Sequence, residues 1–93
     1  MKLNPSEKKL MVWLASLPPK SRNTFTLTAK MGISYTATYN YLRVMEAKEL
    51  ITRIKAGNNK TFYQIKNEEA LELSVEFVKE NKENEENGDL RRD

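Results

Sequence analysis

The sequence predicts a small α+β domain, and three observations support this fold class. Apolar residues recur at helical spacing near the N-terminus, a Gly-Ile-Ser turn at 32–34 separates two further helical segments, and two β-rich runs flank Gly57. Together they predict a three-helix core, a two- to three-stranded β-wing and an additional C-terminal helix. The 93 residues are enough for one such domain.

The first helix has a clear start and a clear end. Asn4 can cap it, Pro5 lacks the N–H that would be unsatisfied there, and Glu7 can close a capping box. A helical stripe follows, made of Leu10, Trp13, Leu14 and Leu17. Pro18-Pro19 ends the helix. We expect Trp13 to lie in the core, because it shares this stripe.

The central segment, about residues 28–48, reads as a helix, a turn and a second helix. Phe25 to Leu27 can form a short first strand, and Thr26 or Thr28 can cap a brief helix that ends at Gly32. Ser34 then caps a helix from about Tyr35 to Lys48. One face of that helix is expected to be buried: Thr38, Tyr41, Leu42 and Met45. The opposite face is polar and free: Tyr35, Thr36, Tyr39, Asn40 and Arg43.

A hairpin and a last helix complete the predicted domain, which spans residues 1–82. The wing covers about residues 50–65, with Gly57-Asn58-Asn59 at its turn. Asn67 caps the last helix, which is expected to run to about residue 81. Residues 83–93 are charged and nearly devoid of apolar side chains, so we expect a disordered tail.

The last helix carries two apolar stripes. One contains Leu71, Val75 and Val78, and the other contains Ala70, Leu73 and Phe77. One stripe is enough to dock the helix on its own domain, so the second stripe predicts a homodimer interface. The alternative is a wide core contact within a monomer.

Composition excludes several classes of function. The chain has no cysteine and no histidine, which excludes disulfides, thiol nucleophiles and nearly all zinc chemistry. Its carboxylates cluster only in the last helix and tail, without metal-ligand spacing or a nucleophile–base pair. We therefore expect no enzyme, metal, cofactor or small-molecule ligand. Without an apolar run of membrane length or a signal peptide, we expect no membrane partner and a cytoplasmic location.

The net charge of +3 conceals an asymmetry along the chain. Residues 1–65 hold 11 Lys/Arg against three acidic residues, a net of +8, whereas residues 66–93 hold five against ten, a net of −5. A strongly basic body favours a polyanionic partner, because neutralised phosphates release counterions. The alternative is an ordinary solvated surface.

Residues 27–65, LTAKMGISYTATYNYLRVMEAKELITRIKAGNNKTFYQI, resemble winged helix–turn–helix transcriptional regulators of the MarR-like and ArsR-like kind. The resemblance depends on Gly32-Ile33-Ser34 at the turn and on Leu50-Ile51 before the wing. Glu49 stands where the family usually has glycine, so it needs a different turn or a left-handed conformation. The resemblance implies a recognition helix in the DNA major groove and a wing beside it.

The resemblance also implies which side chains contact DNA. Bases would be contacted by Tyr35, Thr36, Tyr39, Asn40 and Arg43. Arg43 suits guanine, Asn40 suits adenine and the Thr36 methyl suits thymine. The backbone or minor groove would be contacted by Ser34, Lys20, Arg22, Lys30, Arg53, Lys55, Asn58, Asn59 and Lys60. Alternatively, the tyrosines cover the domain's own surface and the wing charges protect an exposed sheet edge.

The sequence therefore predicts a sequence-specific transcription regulator that binds double-stranded DNA as a homodimer. Two alternatives remain open: a winged-helix protein–protein interaction module, and a nonspecific architectural DNA binder. The abundance of Lys and Glu suggests a thermophilic source, in line with an archaeal or viral origin.

Overall fold

Four α-helices and a two-stranded hairpin form the fold of the residues described by a computed structural model, which are 2–58 and 60–92, with side chains to residue 81. In chain order the elements are α1 (Pro5–Ser16), a 3₁₀ turn (Pro19–Ser21), α2 (Thr24–Met31), α3 (Tyr35–Ala47), β1 (Ile51–Ala56), β2 (Lys60–Ile65) and α4 (Glu68–Arg92). The predicted α+β winged helix–turn–helix architecture is confirmed.

Helix α1 begins with the predicted capping box. The Asn4 side chain accepts the Glu7 N–H at 2.8 Å, and the Glu7 carboxylate accepts the Asn4 N–H at 3.0 Å. The buried residues of the helix are Glu7, Leu10, Met11 and Leu14. The expectation that Trp13 lies in the core is wrong, because its side chain is 36% exposed. With roughly 100° of rotation per residue, Trp13 falls at the edge of the buried stripe.

The helix–turn–helix starts earlier than the sequence predicts. Phe25 to Leu27 belong to α2 and not to a strand, since the Asn23 side chain accepts the Thr26 N–H at 2.8 Å and caps the helix. The predicted end at Gly32 is confirmed, with a left-handed φ of 68°. Ser34 caps α3 as predicted, accepting the Ala37 N–H at 3.1 Å.

The wing is an antiparallel hairpin that pairs Ile51 with Ile65 at its base and Ala56 with Lys60 at its tip. Gly57 has a φ of 45°, and its carbonyl accepts the Lys60 N–H at 3.0 Å. Asn59 lies outside the described residues. The sheet has two strands within the described part of the chain, so the optional third strand is not found there.

Helix α4 packs against α1 through a stripe that lies between the two predicted ones. Asn67 caps the helix by accepting the Ala70 N–H at 3.0 Å. Ala70 and Ser74 are completely buried, whereas Leu73 is 44% exposed and Val75 is 43% exposed. Ala70, which was predicted to lie in the dimer interface, is therefore buried within its own domain, and neither predicted stripe is buried as a whole. Small side chains at 70 and 74 let the two helices approach closely, which places Leu73 and Val75 on either flank.

The same helix continues past its predicted end near residue 81, to Arg92. Between residues 82 and 92 it contains three Glu, one Lys and two Arg, which are strong helix formers, and no proline. The side chains of residues 82–93 lie outside the described residues. The disordered tail over residues 83–93 stays a prediction.

Main-chain hydrogen bonds at Leu50 join three elements. The Leu50 N–H donates to the carbonyl of Met45 in α3 at 3.0 Å, and the Leu50 carbonyl accepts the N–H groups of Lys66 and Asn67 at 3.0 and 3.1 Å. Glu49 just before it has a φ of 61°, so of the two expected alternatives it adopts the left-handed conformation. The end of α3, the base of the wing and the start of α4 therefore meet at one residue.

A buried carboxylate links α1 to the end of α3. Glu7 is completely buried, and both of its carboxylate oxygens lie 3.1 Å from the Lys48 ammonium nitrogen. The same ammonium group lies 3.4 Å from the Lys2 carbonyl oxygen. The N-terminal segment is therefore connected by an ion pair to the helix that follows the turn.

Candidate nucleic-acid interface

The free polar side of α3 is centred on three side chains. Thr36, Asn40 and Arg43 are exposed, while Thr38, Leu42 and Met45 on the opposite side are completely buried. We call Thr36, Asn40 and Arg43 the reading face. This arrangement matches the predicted helical wheel, and it presents a methyl group, an amide and a guanidinium side by side. These are the groups that match thymine, adenine and guanine in the major groove.

The two tyrosines predicted to contact bases lie at one margin of the reading face. Tyr35 is 54% exposed, whereas Tyr39 is half-buried. The Arg43 guanidinium lies over the Tyr39 ring, 5.8 Å from its centre, which is within the range of a cation–π contact. Tyr39 therefore supports Arg43 as well as forming part of the surface.

Val44, on the other margin of the reading face, was not predicted from the sequence. Its side chain is apolar and 47% exposed, unlike the buried apolar residues of α3. On a helical wheel it falls next to Asn40. The exposed face of α3 was predicted from its polar residues, so the sequence pattern did not indicate an exposed valine.

The wing contributes exposed polar and basic side chains. Lys55, Asn58 and Lys60 are exposed. The Arg53 Nε lies 3.4 Å from a Glu46 carboxylate oxygen of α3, so the Arg53 charge is partly neutralised by the domain itself. Among the wing cations, Lys55 and Lys60 are therefore the better candidates for phosphate contacts.

The three flanking cations have different surroundings. Lys20 lines a groove together with Tyr35 and Lys60. The Arg22 Nε donates to the Leu17 carbonyl at 2.9 Å, and the Arg22 carbonyl accepts the Tyr63 N–H at 2.9 Å, so this residue helps hold the fold. Lys30 lies 5.5 Å from the Trp13 ring centre, in a separate groove of about 460 Å³.

Tyr63 is a buried residue of the wing, beneath the candidate surface. It lies in β2 and is 3% exposed. Burial raises the pKa of its phenol, and a hydrogen bond with Thr24 and the charge of Arg53 act in the opposite direction with smaller effect. The phenol therefore stays neutral at physiological pH.

Neither a metal centre nor a membrane span is found in the described part of the chain. No group of three or more His, Cys, Asp or Glu residues there is placed to hold a metal ion. None of the described helices is long and apolar enough to cross a bilayer.

Comparison with solved structures identifies the fold, although no family model and no curated protein matches the chain. The DNA complex of Lactococcus lactis ZitR has a TM-score of 0.71 and 20% sequence identity, over 89% of this chain and 56% of ZitR. ZitR is a zinc-responsive MarR family member. The chain has the fold of MarR-family winged-helix regulators.

Two further regulators share this fold. Staphylococcus aureus MepR, a transcription regulator of the multidrug efflux pump MepA, gives a TM-score of 0.69 at 15% identity, over 95% of this chain and 71% of MepR. The Mycobacterium tuberculosis transcriptional regulator MosR gives 0.71 at 15% identity, over 88% and 60%. The winged-helix fold expected from the resemblance in residues 27–65 is therefore confirmed. The chain spans little more than half the length of ZitR, and the expected archaeal or viral source gains no support.

Proposed function

We propose that this chain is a transcription regulator that binds double-stranded DNA in a sequence-specific manner. Helix α3 would enter the major groove, and the wing would contact the backbone or the minor groove. The observation that carries the proposal is the reading face, in which Thr36, Asn40 and Arg43 stand exposed on a helix with a fully buried opposite side. A ZitR structure with the same fold contains DNA, which supports the same class of partner.

Arg43 is the side chain best placed to read a base. Its guanidinium rests over the Tyr39 ring, so less conformational freedom is lost when it forms two hydrogen bonds to guanine. Lys55 and Lys60 on the wing would contact phosphates, which fix the position of the protein without reading the sequence.

The decisive experiment compares Arg43→Ala with Lys60→Ala in titrations against a selected duplex and a random one. Arg43→Ala should weaken the preferred site by about 1–3 kcal/mol and leave random DNA nearly unaffected. Lys60→Ala should weaken both duplexes equally and reduce the slope of log affinity against log salt by about one. Lys79→Ala, an exposed lysine of α4 remote from α3 in sequence, is the matched control and should change neither quantity.

Two outcomes would replace the proposal. If the wild-type protein shows no salt-dependent binding to any duplex, the domain is a protein–protein interaction module. If Arg43→Ala weakens specific and random DNA equally, α3 does not read sequence and the protein is an architectural DNA binder.

We further propose a homodimer that uses Leu73 and Phe77 on α4. Leu73 is 44% exposed, and half-buried Phe77 lies 4.5 Å from the Lys8 ammonium of α1, measured from its ring centre. Two recognition helices would then lie in successive major grooves about 34 Å apart, on a pseudo-palindromic site. Leu73→Lys should give folded monomers in sedimentation experiments. A wild-type protein that sediments as a monomer at high micromolar concentration would contradict the dimer.

A further inference from the structure

A groove of about 530 Å³ lies beside the reading face, between the 3₁₀ turn, the start of α2, the first turn of α3 and the start of β2. The side chains that line it and carry the argument are Lys20, Phe25, Tyr35, Lys60 and Phe62. We call these five residues the aromatic groove. Only Tyr35, Lys20 and Lys60 were expected from the sequence, and the two phenylalanines were not.

Phe25 is the feature of this groove that the fold does not explain. Its ring is 78% exposed, although it belongs to a helix whose neighbouring Thr24 and Leu27 are buried. The aromatic groove therefore presents an apolar ring to solvent next to Tyr35, which is itself 54% exposed. Burying such a ring against a ligand is favourable, because apolar area leaves water.

The charge of the groove selects the kind of ligand. Lys20 and Lys60 line it, and none of the described residues that line it carries a carboxylate. A groove that combines cations with an apolar ring matches a molecule in which negative charges alternate with apolar surface. The sugar–phosphate backbone of DNA has this alternation, since each deoxyribose lies between two phosphates.

The walls of the groove are held in place from behind. The Tyr63 N–H donates to the Arg22 carbonyl at 2.9 Å, which ties the segment before α2 to the wing. Tyr63 and Thr24 are 3% and 8% exposed, so both side chains are fixed in the interior. The groove is therefore formed before any ligand binds, and little ordering is needed on binding.

We propose that the aromatic groove holds the backbone of one DNA strand, with phosphates at Lys20 and Lys60 and a deoxyribose packed against Phe25. This inference rests on the proposed function. It adds an apolar contact that is independent of base sequence, next to the base contacts of the reading face.

An apolar backbone contact has a distinct signature. Phe25→Ala should weaken specific and random duplexes by the same factor, about fivefold to tenfold. The dependence of affinity on salt should not change, because no charge is removed. Phe25→Leu keeps most of the apolar area and should recover most of the affinity. Lys20→Ala should weaken the same duplexes but reduce the salt slope by about one.

Controls separate this effect from a loss of structure. Val75→Ala removes another exposed apolar side chain, on α4, and should leave DNA affinity unchanged. The melting temperatures of the Phe25 variants should equal that of the wild type within about 2 °C, since an exposed ring contributes little to stability.

Three results would overturn the inference while the proposed function stands. The first is that Phe25→Ala binds all duplexes as the wild type does. The second is a loss of affinity confined to duplexes with thymine at one position, which would assign the ring to a base. The third is a loss of affinity for single-stranded oligonucleotides alone, which would assign the ring to base stacking. If the wild type binds no duplex, the proposed function fails as well.

Discussion

Replacement of Lys48 by methionine tests the energetic role of the ion pair between α1 and the end of α3. Glu7 is completely buried, and Lys48 donates to both of its carboxylate oxygens at 3.1 Å. Lys48→Met leaves that carboxylate with only the Asn4 N–H, at 3.0 Å. Removing one partner of a buried pair costs about 3–5 kcal/mol.

The cost of breaking the Glu7–Lys48 pair is lower than this range, because the Lys48 side chain is 42% exposed. Water already screens the pair on the lysine side, so we expect a loss of about 2–3 kcal/mol in the free energy of unfolding. For a domain of this size the melting temperature should fall by about 8–20 °C. Thermal and guanidinium unfolding followed by circular dichroism at neutral pH would measure both quantities.

A second lysine provides a matched control. Lys66 lies 3.3 Å from a Glu49 oxygen, but the two side chains are 52% and 77% exposed. Lys66→Met should cost less than about 0.5 kcal/mol, as surface pairs do. Adding Glu7→Gln to Lys48→Met should restore about 1–2 kcal/mol, because the buried charge is gone and the amide can still accept the Asn4 N–H. Equal losses for the two lysine variants, or no rescue in the double variant, would refute this reasoning.

Three further predictions concern Tyr63, Glu49 and residues 83–93. The pKa of Tyr63 is raised in the folded protein, so above about pH 10 the unfolded chain loses the phenol proton first, and the free energy of unfolding falls by up to about 1.4 kcal/mol per pH unit. Tyr63→Phe should reduce this fall when unfolding is measured as a function of pH, and an unchanged slope would contradict the prediction. Glu49→Gly should raise stability by about 0.5–1 kcal/mol in the same assay, since φ is 61° there; a lower melting temperature would show that the left-handed conformation carries no strain. Deleting residues 83–93 should leave the melting temperature within about 2 °C, and a larger drop would show that this segment packs.

The sequence predicts those parts of the fold that depend on local chemistry. Asn4, Ser34 and Asn67 each cap a helix as expected, and Gly32 ends one with a positive φ. In each case a single residue type satisfies a backbone requirement within four positions along the chain. Such requirements are visible in the sequence because no distant partner is needed to meet them.

Predictions that depended on a distant partner were less accurate. Trp13 has helical spacing with the core residues, yet the buried stripe is decided by where α4 packs on α1. Phe25 has a β-rich environment in the sequence, but the side chain of Asn23 caps a helix there. The Glu7–Lys48 pair joins residues 41 positions apart, and no local pattern indicates it. The aromatic groove was not predicted for the same reason, since four separate elements supply its walls.

The main-chain hydrogen bonds at Leu50 affect which substitutions this fold can tolerate. Its hydrogen bonds use only main-chain groups of Met45, Leu50, Lys66 and Asn67, and any residue except proline at the donor positions can form them. Substitutions on the surfaces of the wing and of α4 can therefore accumulate while the angle between them is retained. Under the proposed function, side chains on α3 can therefore change the DNA sequence that is read while the attachment of this helix to the rest of the domain is unaltered.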